Sequence, residues 1–260
     1  MPMKISVCIA ANRLFPRLRE TLNSYKDCNE VLLGYNGTEA MPAAFDFPDM
    51  ANLRIVKQQW RGYGPTKNEL ASMAVNDWIL SVDSDEVADT GLRHSLYNFA
   101  PAAANEIYLV EMEHYLGDKP VKHGAWGRGK TRFARLYNRT HTGWDEADVH
   151  ETIVVKTGSS IKKLEGLIRH YTAETLAEFM AKNEYYAQLS ASKYLDEKKR
   201  ATLLKRFISP AFTFLKQYIF QLGFMDGAAG FHIAKGNAVY TFRKYQLLYR
   251  MQGMNANRPR

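Results

Sequence analysis

Residues 78–86, WILSVDSDE, carry three carboxylates within four residues, directly after an apolar run. Carboxylates this close repel one another, so the pattern predicts a positive group beside them. Mg²⁺ and Mn²⁺ take oxygen ligands and commonly bind one or two carboxylates together with substrate phosphates. On an extended segment after the strand, one of Asp83 and Asp85 would reach a metal and the other a nucleotide.

The alternative is a solvated turn, because Asp-Ser-Asp is also common in loops and a short motif matches by chance. Here the acids follow an apolar strand, about 80 residues into an alternating pattern of strands and helices. That position favours the metal site over the solvated turn.

The elements that must position these acids alternate in type along the first half of the chain. Apolar runs predict strands at 4–11, 29–36, 52–58 and 77–83, and helical patterns lie at 13–25 and 66–76. This order predicts an α/β fold with a mainly parallel sheet flanked by helices. Ligands collect at the carboxyl ends of such strands, where Asn12, Asn36 and Asp83 fall.

The rest of the chain changes character. Longer strands are predicted at 106–117, 131–139 and 151–158, and the pattern is helical from residue 172 onward, with a start signal at Thr172 and Glu174. We therefore predict a catalytic α/β domain over 1–171 and a helical, basic extension over 172–260.

Composition narrows the class of protein. With 260 residues, 46% of them hydrophobic and 24% charged, the chain is typical of an ordinary globular protein with one large domain. Cys8 and Cys28 are too few for a disulfide framework or a zinc site, which predicts a reducing compartment. The apolar run near the N-terminus is too short for a signal peptide and is interpreted as the first strand, so we expect a cytoplasmic protein.

The formal net charge of +8 is concentrated in the C-terminal third. This distribution favours attachment to an anionic surface over a basic stripe that binds nucleic acid. A nonenzymatic basic module would leave the carboxylates unexplained, and we expect no nucleic acid partner. A nucleotidyltransferase-like or phosphatase-like α/β enzyme is a further alternative. The nucleotidyltransferase would be expected to have a glycine-rich loop after the first strand, and AANRLFPR contains no glycine.

The opening strand with Asn12 and five further segments resemble the inverting glycosyltransferases of family 2, which have the GT-A fold. The resemblance is strongest to the bacterial branch with lipopolysaccharide core glucosyl- and heptosyltransferase-like proteins. The five segments are RGYGPTKNELASMAVNDWILSVDSDE at 61–86, RLYNR at 135–139, VHE at 149–151, IRHY at 168–171 and GFMDGAAGF at 223–231. The resemblance implies a metal-dependent enzyme that moves a sugar from a nucleotide-sugar to a glycan or lipid-linked acceptor in cell-surface polysaccharide or lipopolysaccharide synthesis.

The same resemblance implies the donor and metal site. Asp85 would bind Mn²⁺ or Mg²⁺, with Asp83 beside it on the ribose side and His170 completing the metal shell. The residues assigned to the donor are Asn12, Tyr35, Glu39, Lys67, Asn68, Asp83 and Arg135.

Inverting transfer also needs a base that takes the proton of the acceptor hydroxyl. The candidates in GWDEADVHETI are Asp145, Glu146, Asp148, His150 and Glu151, and the residues alone leave the choice open. The family places its base in a short acidic motif that VHE matches, so the resemblance implies Glu151 as the base, with His150 beside it and Asp148 as the substitute. Trp126 and Trp144 are assigned to the acceptor, because aromatic rings stack on sugars. Each assignment has a structural alternative: Glu151 as a cap, and Trp126 as a core aromatic.

The sequence departs from the family at the nucleobase site. Tyr35 stands where the family has an acid, and Glu39 is the nearest carboxylate. A tyrosine cannot accept a hydrogen bond from an imide N–H as a carboxylate does. A UDP-sugar is the expected donor, but because of this departure the identity of the nucleobase stays open.

An apolar stripe runs through residues 203–222 at spacings of three and four, comprising Leu204, Ile208, Phe212, Leu215, Ile219 and Leu222. Lysines nearby exclude a membrane span. The stripe either packs on the catalytic domain or lies on the inner face of the cytoplasmic membrane, and the basic flanks slightly favour the membrane.

Overall fold

The computed structural model describes residues 4–14, 16–38, 50–127, 132–146 and 151–256. Its strands are β1 (Ile5–Ala11), β2 (Glu30–Tyr35), β3 (Leu53–Lys57), β4 (Trp78–Asp83), β5 (Glu86–Ala88), β6 (Glu106–Leu116), β7 (Lys119–Val121), β8 (Arg132–Asn138) and β9 (Ser160–Ala173). Its helices are α1 (Pro16–Ser24), α2 (Tyr63–Ser72), α3 (Thr90–Tyr97), α4 (Leu176–Asp196), α5 (Leu203–Leu215) and α6 (Gly227–Ala256).

The strands form a mixed sheet in the order β3-β2-β1-β4-β8-β6-β9-β5, and β7 pairs with the end of β6. Strands β1 to β4 pair in parallel, whereas β8 runs antiparallel to both β4 and β6. The predicted α/β class is confirmed. Because β1, β2 and β4 are parallel, the residues that follow them meet at one edge of the sheet.

The parallel strands β1, β2 and β4 are buried on both faces, whereas the edge strand β3 is partly exposed. Ile5, Val7 and Ile9 of β1 lie in one apolar cluster, and Cys8 lies in a second cluster on the opposite face. This alternation follows from the two-residue period of a strand, and it explains why the four parallel strands appear in the sequence as short apolar runs. Burial raises the pKa of the Cys28 thiol to about 12.

The chain forms two compact units. One contains Met1–Met112 with Thr131–His170, and the other contains Glu113–Lys130 with Tyr171–Arg260. In the second unit α4 and α5 both contact α6, and a π-helical turn at Lys216–Phe220 and a 3₁₀ turn at Gly223–Asp226 join α5 to α6. The predicted division at residue 171 stays a prediction. Among the described residues, no helix has the length and apolar content needed to cross a membrane.

Two predictions of secondary structure are wrong. Residues 151–158 form only an isolated bridge between Ile153 and Trp144, because the run ends in a turn with Gly158 at a φ of 83° and leaves Val155 57% exposed. The strand of this region is β9. The helix start at Thr172 is also wrong: Thr172 lies in β9, and Thr175 caps α4 by accepting a hydrogen bond from the Glu178 N–H.

Candidate active site

The acidic segment is a tight turn. β4 ends at Asp83, Ser84 and Asp85 form the turn, and Glu86 begins β5. The prediction of an extended segment is wrong, because the chain must leave β4 to reach β5 at the far end of the sheet order. Thr21 fixes the turn by donating to the carbonyl oxygen of Ser84 (3.0 Å), and Asp83 N–H donates to the Glu86 carboxylate (2.9 Å).

Glu86, the third acid, is completely buried. Arg135 of β8 donates to Glu86 Oε1 at 2.5 Å and lies 3.5 Å from Asp83 Oδ2. Burial raises the pKa of Glu86, although the guanidinium beside it acts in the opposite direction. Arg135 is therefore the cation between two of the three acids.

Lys67 of α2 links the acidic turn to a second carboxylate. Its Nζ lies 3.1 Å from Asp83 Oδ1 and 2.7 Å from Glu151 Oε1. The lysine is only 7% exposed, and its ammonium lies 4.4 Å from the centre of the Trp144 ring. Burial alone would raise the pKa of Asp83, but Lys67, Arg135 and His170 together hold it well below its ordinary value.

Asp85 has a different neighbour, His170. The register of β5 and β9 pairs Glu86 with His170, and this brings His170 Nε2 within 3.6 Å of Asp85 Oδ1. Burial would lower the pKa of His170, but the carboxylate of Asp85, with those of Glu86 and Asp83, raises it. The expected positive charge beside the acids is thus present as Lys67 and Arg135, and His170 lies beside Asp85.

Oδ1 of Asp85 and Nε2 of His170 are atoms of the kind that bind a divalent cation, and their spacing fits two ligands of one ion. Two atoms that bind one ion at about 2.1 Å are separated by about 3.0 to 4.2 Å, and the observed 3.6 Å falls in this interval. Within the described residues, no group of three or more His, Cys, Asp or Glu side chains is arranged as a complete metal centre. A metal held here would take its remaining ligands from water or substrate oxygens.

The residues around Glu151 are anchored to α2. Asn68 uses both ends of its amide on the backbone of Trp144, donating to its carbonyl oxygen and accepting from its N–H, each at 2.9 Å. Asp145 Oδ2 accepts from the hydroxyl of Thr152 at 2.9 Å. A Cβ on Gly64 would lie well inside contact distance of the Asp145 carbonyl oxygen, so α2 and this segment touch closely.

Five of the assigned donor residues fall into two groups. Lys67, Asp83 and Arg135 form one network of charged side chains with Glu151, and Asp85 pairs with His170 beside it. Asn12 and Tyr35 lie at the ends of β1 and β2, and both the Tyr35 hydroxyl and the Asn12 carbonyl oxygen pack so close to Gly37 that a Cβ there would collide with them.

Several assignments stay predictions. Trp144 is only 7% exposed under the Lys67 ammonium, and Trp126 lies in the second unit with its ring centre 5.4 Å from that of Phe179. Glu39, Asp148 and His150 lie outside the described residues.

Sequence reasoning assigned no role to Glu86 or Gly64, and it named Asp145 only as one of the candidate bases. Glu86 belongs to the acidic motif, and the sequence signal for its role was a carboxylate beside apolar residues, which must be paired if it is buried. The close contact of Gly64 with Asp145 has no sequence signal, because it joins distant segments.

No protein-family model matches this chain. An uncharacterized glycosyltransferase of Rickettsia prowazekii (strain Madrid E) is 22% identical over 265 residues, covering 97% of this chain and 88% of that protein. The lipopolysaccharide core biosynthesis glycosyltransferase LpsC of Rhizobium meliloti (strain 1021) is 26% identical over 247 residues, covering 92% and 89%.

Among solved structures, residues 1–349 of S. aureus TarS match with a TM-score of 0.43 and 16% identity, covering 96% of this chain and 92% of that one. The same TarS fragment in complex with UDP-GlcNAc matches with a TM-score of 0.45 and 14% identity, at the same coverage. The curated relatives bear out the resemblance to glycosyltransferases.

Proposed function

We propose that this chain, a glycosyltransferase by its similarity to the curated relatives, transfers a sugar from a nucleotide-sugar to a glycan or lipid-linked acceptor of the lipopolysaccharide core. The observation that carries the proposal is the network of Asp83, Lys67, Arg135 and Glu151 at the carboxyl edge of the parallel strands. The pair of Asp85 and His170 lies beside it on the same acidic turn. The relative named for lipopolysaccharide core biosynthesis supports the choice of acceptor.

We propose that the nucleotide-sugar donor binds in the GT-A arrangement, with its nucleotide at the carboxyl ends of β1, β2 and β4. Lys67 and Arg135 supply positive charge for a diphosphate, and Asp83 on β4 faces the ribose. Asp85 and His170 would hold Mn²⁺ or Mg²⁺, which neutralises the leaving nucleoside diphosphate. A UDP-sugar is the proposed donor, with Tyr35 in place of the acid that reads the base.

On the acceptor side of the site, Glu151 is the proposed base of an inverting reaction. Its carboxylate takes the proton of the acceptor hydroxyl while the oxygen bonds to the anomeric carbon and the bond to the diphosphate breaks. Asp148 and His150 belong to the same proposed motif. Because Lys67 contacts both Asp83 and Glu151, a single side chain fixes the distance between the donor carboxylate and the base.

Donor binding is tested by thermal unfolding with uridine, guanosine, thymidine, adenosine and cytidine diphosphates and their sugars, each with Mn²⁺, Mg²⁺ or EDTA. A ligand at about 100 times its Kd stabilises the folded state by about 2.7 kcal/mol. We expect one nucleotide series to raise the melting temperature only with metal, and Asp85→Asn to abolish the shift. Asp196→Asn is the matched control, because Asp196 is exposed at the end of α4.

The absence of a shift with every nucleotide, or an equal shift in Asp85→Asn, would contradict the donor site. Transfer is then measured with labelled donor and isolated lipopolysaccharide core as acceptor. Glu151→Gln should reduce turnover by about 100-fold or more while donor binding is retained. Glu165→Gln, an exposed change on β9, should leave turnover as in the wild type.

A further inference from the structure

The helix α5 and the turn that follows it turn most of their large apolar side chains toward solvent, and they meet α6 with polar side chains as well as the ring of Phe214. Ser209, Thr213 and Gln217 recur at intervals of four residues and are partly buried on the side of α6. Thr213 Oγ1 lies 3.5 Å from Thr241 Oγ1, and Asn237 donates to Gln217 Oε1 at 2.8 Å. Polar contact between helices with an apolar outer face is typical of a protein in contact with lipid.

The outer face of α5 and of the turns after it is almost entirely apolar. No residue of α5 is buried, and Leu204 is 68% and Phe220 75% exposed. The exposed large apolar side chains of this surface are Leu203, Leu204, Phe207, Ile208, Phe212, Leu215, Ile219, Phe220, Leu222, Phe224 and Met225. We call these residues the apolar face; contiguous patches of this kind mark a binding surface on a protein in water.

The charges around the apolar face have one sign. Every charged residue from 198 to 225 is basic: Lys198, Lys199, Arg200, Lys205, Arg206 and Lys216. Lys205 and Lys216 are exposed and border the apolar face by helical spacing. The next acid, Asp226, accepts hydrogen bonds from the backbone N–H of Lys122 and His123.

We propose that the apolar face binds the surface of an anionic lipid bilayer, with its aromatic and aliphatic side chains among the acyl chains and Lys205 and Lys216 at the headgroups. Apolar burial favours any lipid surface, and the uniform positive charge selects anionic headgroups. α5 has 13 residues, too few to span a bilayer, so the helix lies in the plane of the surface. The surface serves attachment and belongs to no step of sugar transfer.

The test is cosedimentation of the full chain with vesicles of phosphatidylcholine alone and of phosphatidylcholine with phosphatidylglycerol, without nucleotide or acceptor. We expect binding to the mixed vesicles that weakens with salt. Leu204→Ser with Phe212→Ser should lower the partition coefficient by about tenfold or more. Each of Lys205→Gln and Lys216→Gln should lower it about fivefold on anionic vesicles only.

The matched control is Tyr97→Ser with Val155→Ser, which removes apolar side chains exposed at 65% and 57% in the other unit. It should bind as the wild type does. Phe220→Trp should add blue-shifted fluorescence that is quenched by lipids labelled in the acyl chain. The proposal would be overturned if the Leu204→Ser, Phe212→Ser variant bound vesicles as strongly as the wild type. It would also be overturned if the wild type bound no vesicles and formed a stable dimer in water that the same two substitutions dissociate. Because no sugar donor is used, these outcomes are independent of transferase activity.

Discussion

Nζ of Lys67 lies 2.7 Å from Oε1 of Glu151, although 84 positions separate the two residues. The same ammonium lies 3.1 Å from Asp83, so one cation holds a carboxylate of the acidic turn and the proposed base in a single arrangement. Lys67→Met keeps the side-chain length and removes the charge. We expect turnover to fall by about 100-fold, because the base loses its position.

Lys67→Met should also lower the free energy of unfolding by about 1 to 3 kcal/mol, since Glu151 and Asp83 lose a charged partner. Lys57→Met, on exposed β3, is the control for both measurements. Steady-state kinetics and urea unfolding check the two effects. Wild-type turnover in Lys67→Met would contradict the positioning role.

The lowered pKa of Asp83 predicts the sign of a pH dependence. The pKa of the Asp83 carboxyl is lower in the folded protein than its value near 3.8 in the unfolded chain. The ionised carboxylate therefore stabilises the folded state at neutral pH, and this stabilisation is lost as the pH falls toward and below 3.8. The free energy of unfolding should therefore decline less steeply from about pH 5 to pH 3 in Asp83→Asn than in the wild type. Urea unfolding at several pH values measures the slopes, and parallel slopes would exclude this linkage.

Arg135 and Glu86 form a buried pair whose loss we expect to be strongly non-additive. Arg135→Met leaves Glu86 buried without its guanidinium partner and should cost about 3 to 5 kcal/mol. Adding Glu86→Gln removes the uncompensated charge and should recover at least 1 kcal/mol of that loss. Urea unfolding of both single variants and the double variant completes the cycle; strictly additive effects would show that the pair is not coupled.

Local patterns predicted the parallel strands and the first two helices well, because a buried strand or an amphipathic helix is encoded in neighbouring residues. The acidic motif was also visible, since residue type and position after β4 suffice to find it. The partners of its acids were not visible as a network. Arg135 and His170 reach Asp83 and Asp85 through the pairing of distant strands, and Lys67 reaches Asp83 from helix α2. No local pattern specifies either arrangement.

The errors have physical causes too. The β-branched run near Val154 and Val155 has strand propensity, but strand propensity depends on a neighbouring strand and a buried face, and both valines are exposed. The apolar stripe of α5 was found by its period, but a period does not tell which face meets water. The contact between Gln217 and Asn237 supplies that orientation.

Gly64 offers a test of how tightly the segment before Glu151 must be held. A methyl group at Gly64 would collide with the carbonyl oxygen of Asp145, so Gly64→Ala should displace this segment and the base that follows it. A displacement of about 1 Å in a catalytic group costs about 100-fold in rate, and the strain should cost about 1 to 3 kcal/mol of stability.

Gly253→Ala makes the same substitution in helix α6, where a Cβ has open space. It should keep wild-type turnover and raise stability by about 0.5 kcal/mol, because alanine is the better helix former. Turnover, Kd for the donor and urea unfolding are measured for both variants. If Gly64→Ala lost stability but kept full turnover, the close contact with Asp145 would serve folding alone, and the position of Glu151 would not depend on α2.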